Sequence, residues 1–318
     1  MILVGGEALI DLVPLPSTVD DELPALRPFP GGGPYNVAIA AARLGAEVRF
    51  LSRLSTDDFG AALLRRLHRS GVDTSLVQRG PEPTTLAVTG IAPDGSARYS
   101  FHVEGTADRL VADPGALPAG VRLLSLGTLS LLLEPGATTY ETLLRRHARA
   151  GGLTVLDPNI RPGLVSDPDA VRARFTSWLP DVGLLKLSVE DARWLAALPP
   201  GASGAAVLDA VRSWLAAGPA AAVLTRGADG LTAVTGAGAA VDVPAAPSAV
   251  VDTIGAGDTV HGALLYWLAR TGVTSADAVC RLDAADLRAA LDLAARAAAV
   301  TVSRAGAEPP YATEIIGL

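Results

Sequence analysis

Leu184-Leu185-Lys186-Leu187, then the amphipathic run Ala205 to Leu215, then Ala221-Ala222-Val223-Leu224-Thr225: this stretch decides the fold. It is a strand-length apolar run, a helix-period run and a second apolar run, which together make one strand-helix-strand unit. Both apolar runs are near-continuous instead of alternating, so both faces of the sheet must be covered, as in parallel strands joined by helical crossovers. Working outward, similar apolar runs occur at Ile2 to Val4, Val48 to Leu51, Leu123 to Leu126 and Thr154 to Leu156. Helical patterns fill the gaps at Phe59 to Arg69, Thr138 to Ala148 and Ala170 to Leu179. The pattern predicts an α/β chain with a doubly wound, mostly parallel sheet and helices on both faces, whose ligands sit at the carboxyl ends of the strands. Residues 1–318 are read as a single domain.

Two segments break this rhythm. Residues 11–30 are rich in proline and acidic groups, and residues 84–104 read as two strands joined at Pro93-Asp94-Gly95. Together they predict a small β lid over the crevice at the strand ends.

Hydrophobic residues make up 49% of the 318 and charged residues 19%, which excludes a disordered chain or a coiled coil. With 26 Lys and Arg against 33 Asp and Glu, the net charge of −7 provides no general basic field for nucleic acid or an anionic membrane. The most apolar run, Leu123 to Leu133, is broken by Ser125, Gly127, Thr128 and Ser130 and falls short of the roughly 20 residues that span a bilayer. Met1 to Gly6 lacks the basic start of a secretory signal and reads as a first strand, so a cytoplasmic location is expected. A single cysteine, Cys280, excludes an intrachain disulfide and a cysteine-rich zinc site, and is read as a small buried hydrophobe.

The chemistry concentrates in two glycine loops. In Val251-Asp252-Thr253-Ile254-Gly255-Ala256-Gly257-Asp258-Thr259-Val260-His261-Gly262, a turn of small residues runs straight into a helix. The backbone amides of Gly255, Ala256 and Gly257 at that helix start favour an anion such as a transferring phosphate. Asp258, in the first turn, would repel that anion unless a substrate hydroxyl stood between them. That suits a base which orients the hydroxyl and takes its proton late, for which an ordinary acidic pKa suffices. The earlier loop, Gly31-Gly32-Gly33-Pro34-Tyr35-Asn36, opens an alanine-rich helix that ends at Gly45. Its glycines let a small polar ligand approach the backbone, and Asn36 offers a donor and an acceptor to a sugar hydroxyl. His261, three residues after Asp258, is read as a partly buried, hydrogen-bonded histidine within reach of the same helix face. His68, His102 and His147 show no metal-ligand spacing, and the four tryptophans read as core or interface aromatics.

Gly32-Gly33-Pro34-Tyr35-Asn36-Val37-Ala38 and Asp252-Thr253-Ile254-Gly255-Ala256-Gly257-Asp258 resemble the two signatures of the ribokinase-like, phosphofructokinase-B-type carbohydrate kinases. Between them Gly71-Val72-Asp73-Thr74, Asp157-Pro158-Asn159-Ile160-Arg161, Lys186-Leu187-Ser188-Val189-Glu190-Asp191 and Thr225-Arg226-Gly227-Ala228-Asp229-Gly230 follow the family's order and spacing, with the fructokinase branch most similar. The resemblance implies an ATP-dependent sugar kinase acting on a primary hydroxyl, fructose being the first choice. It implies Asp258 as catalytic base over an anion hole of Gly255, Ala256 and Gly257. It implies Asp11, Gly32, Gly33, Asn36 and Arg161 around the sugar. Lys186, Ser188, Thr225, Gly227, Gly230 and Gly257 would lie on the ATP side, with Asp191 or Glu190 tending Mg²⁺ through water and Asp252 a monovalent cation such as K⁺. A homodimer is expected, because lid sheets in relatives often pair between protomers.

Three departures from the family pattern stand out: Ser188-Val189-Glu190-Asp191 in place of Asn-x-x-Glu, Val260 for a frequent aromatic, and Arg296 where relatives often carry a small polar residue near adenine. A 2-keto-3-deoxygluconate kinase is the runner-up, since a carboxylated substrate would use Arg161 directly. A nucleoside kinase ranks lower, because only Tyr99 and Phe101 are available to stack a base in the lid segment. Of other classes, a dinucleotide oxidoreductase lacks its third glycine after the first strand. A catalytically silent sugar-binding regulator is opposed by the intact Asp258.

Overall fold

Alternate residues of each apolar run face opposite sides of one sheet, which explains why the runs are continuous. Ile2, Val4, Leu184, Ala221 and Val223 join one hydrophobic core, while Leu3, Leu185, Leu187, Ala222 and Leu224 join another. The computed structural model describes residues 1–15, 23–91 and 97–315. In chain order the strands are β1 (Ile2–Gly5), β2 (Leu9–Pro14), β3 (Leu26–Gly31), β4 (Val48–Ser55), β5 (Val77–Gly80), β6 (Leu86–Ile91), β7 (Ala97–His102), β8 (Leu123–Gly127), β9 (Leu153–Asp157), β10 (Leu184–Ser188), β11 (Ala221–Thr225), β12 (Leu231–Thr235) and β13 (Ala240–Val243). The helices are α1 (Gly33–Arg43), α2 (Asp58–Arg69), α3 (Gly136–Arg149), α4 (Pro168–Trp178), α5 (Val189–Leu195), α6 (Gly204–Leu215), α7 (Ala256–Thr271), α8 (Ala276–Cys280) and α9 (Ala284–Val302).

Nine strands form the main sheet in the order β13-β12-β11-β10-β9-β8-β1-β4-β5. The seven from β11 to β5 run parallel, and β12 and β13 extend the sheet antiparallel. One face carries Ile39 of α1, Leu63 and Leu67 of α2, Leu265 of α7 and Leu291 of α9; the other carries Leu143 of α3, Phe175 of α4 and Val211 of α6. Cys280 departs from the expected burial. It ends a five-residue helix whose inward position is taken by Val279, and its own side chain is exposed. Among the described residues no helix is long and apolar enough to cross a membrane.

A separate four-stranded sheet, in the order β3-β2-β6-β7, comes from the two segments that broke the helical rhythm. Here β2 pairs antiparallel with β3 and parallel with β6, and β7 closes an antiparallel pair with β6. The turn read at Pro93-Asp94-Gly95 lies outside the described residues, as do residues 16–22.

Helices α1 and α7 cross with their backbones close together. A Cβ on Gly262 would stand 2.5 Å from the Ala40 Cβ and 2.9 Å from the Val37 carbonyl oxygen, distances no side chain tolerates. This contact places the first turns of the two helices, and therefore the two glycine loops, opposite one another.

Candidate active site

The chemically active residues follow the carboxyl ends of the parallel strands, where such sheets bind ligands. Glu7 follows β1, Thr128 follows β8, Asp157 ends β9 and Asn159 and Arg161 follow it, Ser188 ends β10 and Thr225 ends β11. The small sheet adds Asp11 from β2 and Tyr99 and Phe101 from β7.

Asp258 and the triple-glycine bend line one cavity of about 390 Å³, together with Asp11, Asn36 and Arg161. Asn36 Nδ2 donates to Asp258 Oδ2 at 2.9 Å, linking the two loops directly. Gly32, the N-cap of α1, has φ 108°, and a Cβ there would sit 2.7 Å from the Glu7 carbonyl oxygen, so only glycine lets the chain turn beneath the cavity. A Cβ on neighbouring Gly31 would strike the Asp11 carboxylate; the missing side chain is the room that Asp11 occupies. Arg161 Nη1 donates to the backbone carbonyl and Oδ1 of Asn159, at 2.9 and 2.7 Å, which fixes its planar group at the wall. Asn159 itself has φ 40°, a conformation asparagine adopts more readily than most residues.

Electrostatics sharpen the role of the acid. Burial pushes the Asp258 carboxyl up to about 6, with Asp157 adding to the rise and the Asn36 hydrogen bond and Lys186 opposing it. Asp11 also rises to about 6, first through burial and then through repulsion from Asp258, with Arg161 pulling it down. An ordinary acid would suffice as the base. The raised value still leaves Asp258 ionised at neutral pH, and it makes the carboxylate a better acceptor for a hydroxyl proton.

A second cavity, about 520 Å³, adjoins the first. Thr253 and Gly257 line both, so the loop opening α7 forms the boundary between them. Thr225, Gly227 and Gly230 line this second cavity, and so do Glu190 and Val260. The far wall is small and apolar, with Ala295, Ala298 and Ala299 from α9. Arg296 is exposed and is not among the wall residues, because the helical period turns it outward between Ala295 and Ala298. At the loop itself Gly255 adopts a left-handed conformation with φ 76°, and no side chain caps the helix start. The Ala256 amide is already engaged by the Thr253 carbonyl at 3.3 Å, so Gly255 and Gly257 are the stronger candidates for holding an anion.

Lys186, Ser188 and Asp191 do not line the second cavity, although Lys186 Nζ lies against the boundary residue Gly257, 3.3 Å from where a Cβ there would stand. Lys186 lines the first cavity, 4% exposed, with Nζ 2.7 Å from Asp157 Oδ2. Burial opposes its charge, but Asp157 outweighs that and holds the ammonium above its ordinary range. Ser188 is the N-cap of α5 and exchanges hydrogen bonds with Asp191 in a capping box. Asp191 is further used up by the Ile160 amide, which donates to Oδ1 at 2.7 Å. Asp252 lies beside the loop, its two oxygens accepting the Ile254 and Gly306 amides at 3.0 and 2.8 Å.

His261 is fully buried. It reaches Asp157 Oδ2 at 3.3 Å and Ser125 Oγ at 3.1 Å, and so belongs to the buried Lys186-Asp157 cluster behind Asp258. Glu7, not expected at the site, lines the first cavity, and its buried carboxylate accepts from Thr128 and Ser130. Tyr99 and Phe101, read from the sequence only as too few to stack a base, are stacked 6.1 Å apart in that wall. Nothing local marks Thr128. Glu7, an acid just past an apolar strand, was visible in principle.

Two cavities separated by a glycine-rich helix start, with a carboxylate on one side, form an arrangement suited to phosphoryl transfer. The model of the pfkB family of carbohydrate kinases matches residues 1–314, and the chain belongs to that family. A fructokinase of Rhizobium leguminosarum bv. trifolii is 37% identical over 291 residues, 91% of this chain and 86% of that protein. A fructokinase of Klebsiella pneumoniae is 33% identical over 86% of this chain and 85% of its own length. Among solved structures, fructokinase with bound ATP from Xylella fastidiosa superposes with TM-score 0.87 at 28% identity, covering 99% of this chain and 97% of the other. Aminoimidazole riboside kinase of Salmonella enterica gives 0.81 at 26% identity, covering 99% and 98%. The protein is a carbohydrate kinase, a phosphotransferase with a sugar hydroxyl as acceptor.

Proposed function

We propose that this kinase transfers the γ-phosphoryl group of ATP to a primary hydroxyl of fructose. The observation that carries the reading is the shared boundary: Gly257 lines both cavities, and Asp258 faces the one that Asp11, Asn36 and Arg161 surround. Asp258 accepts a hydrogen bond from the attacking hydroxyl and takes its proton as the new P–O bond forms and ADP leaves; Gly255 and Gly257 hold the developing negative charge. Asp11 accepts sugar hydroxyls, and a buried carboxylate suits a neutral sugar better than an acidic one. That favours fructose over 2-keto-3-deoxygluconate despite Arg161. The small sheet serves as the cover of the sugar cavity, bringing Asp11 and the Tyr99-Phe101 stack to it.

The divalent ion belongs with Glu190 rather than Asp191. Asp191 is bound up in the capping box and with the Ile160 amide and lines neither cavity, whereas Glu190 is exposed and lines the second. One carboxylate plus water and phosphate oxygens is a donor set that suits Mg²⁺, which when bound neutralises phosphate charge. Asp252 retains a lone pair on each oxygen for a monovalent cation. The same reading places the enzyme in the cytoplasm, where ATP is supplied and the exposed Cys280 thiol stays reduced. It also includes a homodimer that buries the apolar Leu26 and Tyr99 of the small sheet, both more than 40% exposed in the single chain.

The test is ADP formation with a sugar panel. Fructose should be the preferred acceptor; preference for aminoimidazole riboside would favour a nucleoside reading of the Tyr99-Phe101 stack, and fructose binding without ADP formation would contradict kinase function. Asp11→Ala is expected to raise the fructose KM by roughly 100-fold, the scale of about two lost charge-assisted hydrogen bonds, with little change in the KM for ATP. A raised ATP KM with an unmoved fructose KM would show that Asp11 serves the nucleotide. Because Asp258 must be ionised, kcat/KM should fall as the pH drops through about 6. Asp11 and Asp258 repel one another, so the acid limb belongs to the pair, and Asp11→Asn should move it to lower pH. An acid limb near pH 4 in the parent enzyme would argue against a buried base.

A further inference from the structure

The anion loop is steadied by the last residue of α9, Val302, which lines the second cavity, and by the segment that follows it. The Val251 and Asp252 amides donate to the Val302 carbonyl at 2.8 and 3.2 Å, and the Gly306 amide donates to Asp252 Oδ2. Ala307 backs directly onto Gly255, where a Cβ would meet the Ala307 Cβ at 2.6 Å and its Cα at 2.9 Å. This strap is fastened on its far side by Glu308. The Glu308 carboxylate accepts from Arg43 at 2.5 Å and from Arg66 at 2.8 Å. Arg43 also reaches the Pro309 carbonyl at 2.7 Å, and Arg66 the Ala307 carbonyl at 2.6 Å. The Arg43 side chain is only 7% exposed and lies over the Tyr311 ring, 4.6 Å from its centroid. Such a two-guanidinium clasp on a partly buried carboxylate is far more rigid than a lone surface ion pair.

Arg43 is the last residue of α1, the helix whose first turn carries Asn36 and thereby grips Asp258. The same helix therefore holds the base at one end and, through Glu308, the anion loop at the other. We propose that Glu308 is a positioning residue for phosphoryl transfer, locking the strap Val302–Ala307 against Gly255 so that the turn opening α7 keeps its backbone amides aimed at the transferring phosphate. Glu308 and the strap hold none of Asp11, Asn36 and Arg161, so loss of Glu308 shifts the anion loop while those sugar-side groups stay in place. The inference rests on the assignment of Asp258 and the Gly255–Gly257 loop made above.

The experiment compares steady-state kinetics with fructose and ATP for the parent enzyme, Glu308→Gln, Glu308→Ala and Asp258→Asn, with thermal melting of each. Displacing a catalytic group by about 1 Å costs on the order of 100-fold. The expected result is a kcat lower by roughly 100-fold in Glu308→Ala and about 10-fold in Glu308→Gln, with the fructose KM within twofold. Glu308→Gln keeps the length of the side chain and its acceptor oxygen, so it carries the test if Glu308→Ala fails to fold. A kcat within twofold of the parent in Glu308→Gln, whatever the melting temperature does, would overturn the proposal, because Glu308 would then be a stability clip only. So would a fructose KM that rises in step with the fall in kcat. Asp258→Asn separates the two levels: if it retains turnover, the assignment of the base fails, whereas if it is inactive while the Glu308 variants keep their kcat, only the positioning role fails.

Discussion

Asp258→Asn is expected to lower turnover by about 100- to 10,000-fold while leaving sugar affinity nearly unchanged, because the amide keeps the shape and can still accept from Asn36 but cannot take a proton. The same variant should be more stable than the parent at neutral pH. The parent carboxyl has a folded-state value of about 6 against an ordinary 3.8, so at pH above 6 folding holds a charge that the cavity disfavours. Between those values the folded parent binds more protons than the unfolded chain, and the parent gains stability as the pH falls. The advantage of the amide should therefore be largest above pH 6, shrink as the pH falls through 6, and vanish below about 4. Kinetics and thermal melts across that range measure both effects. Turnover within a few-fold of the parent would remove Asp258 from the chemistry, and an unchanged melting temperature at pH 7.5 would remove the buried charge.

Gly255→Ala should lower kcat by about 100-fold with a modest effect on overall stability. The residue is left-handed, a conformation that costs a residue with a Cβ about 1 kcal/mol or more, and the added Cβ would stand 2.6 Å from that of Ala307. Ala307 cannot yield cheaply, because its Cα would itself lie 2.9 Å from the added Cβ. The helix start moves instead, and donors preorganised for a developing charge lose their effect when displaced. Single-turnover measurements with saturating ATP and fructose isolate this step. Parent-like kcat in Gly255→Ala would show that the loop amides do not hold the transferring group.

Much of this architecture was readable because burial on two faces leaves a plain trace. Continuous runs such as Leu184–Leu187 and Ala221–Thr225 have no other economical explanation than a sheet covered on both sides, and the cores on its two faces divide them residue by residue. The antiparallel strands β12 and β13 were not readable, since Leu231–Thr235 and Ala240–Val243 mix threonine, alanine and aspartate with too few large apolar residues to stand out. At the site, each glycine loop had its own local chemical logic, but that Asn36 and Asp258 share one site across 222 residues was implied by the family resemblance, and their hydrogen bond was not foreseen. The partner of Lys186 did not follow. A lysine near a nucleotide motif reads as a phosphate ligand, and only the fold shows that its ammonium, beside Gly257, is also paired with the buried Asp157. The choice between Glu190 and Asp191 was undecidable for a similar reason. Capping boxes and metal sites draw on the same acids, and the Ile160 amide that occupies Asp191 is 31 residues away.

Crystals of the enzyme grown with fructose and a non-hydrolysable ATP analogue would put the shared boundary to a direct measurement. A primary hydroxyl of the sugar should lie within about 3 Å of an Asp258 oxygen, hydrogen-bonding distance, with the terminal phosphate of the analogue against the Gly255 and Gly257 amides on the other side. Sugar and nucleotide bound with Asp258 in contact with neither, or a terminal phosphate seated away from that loop, would contradict the assignment of this cavity pair as the place of transfer.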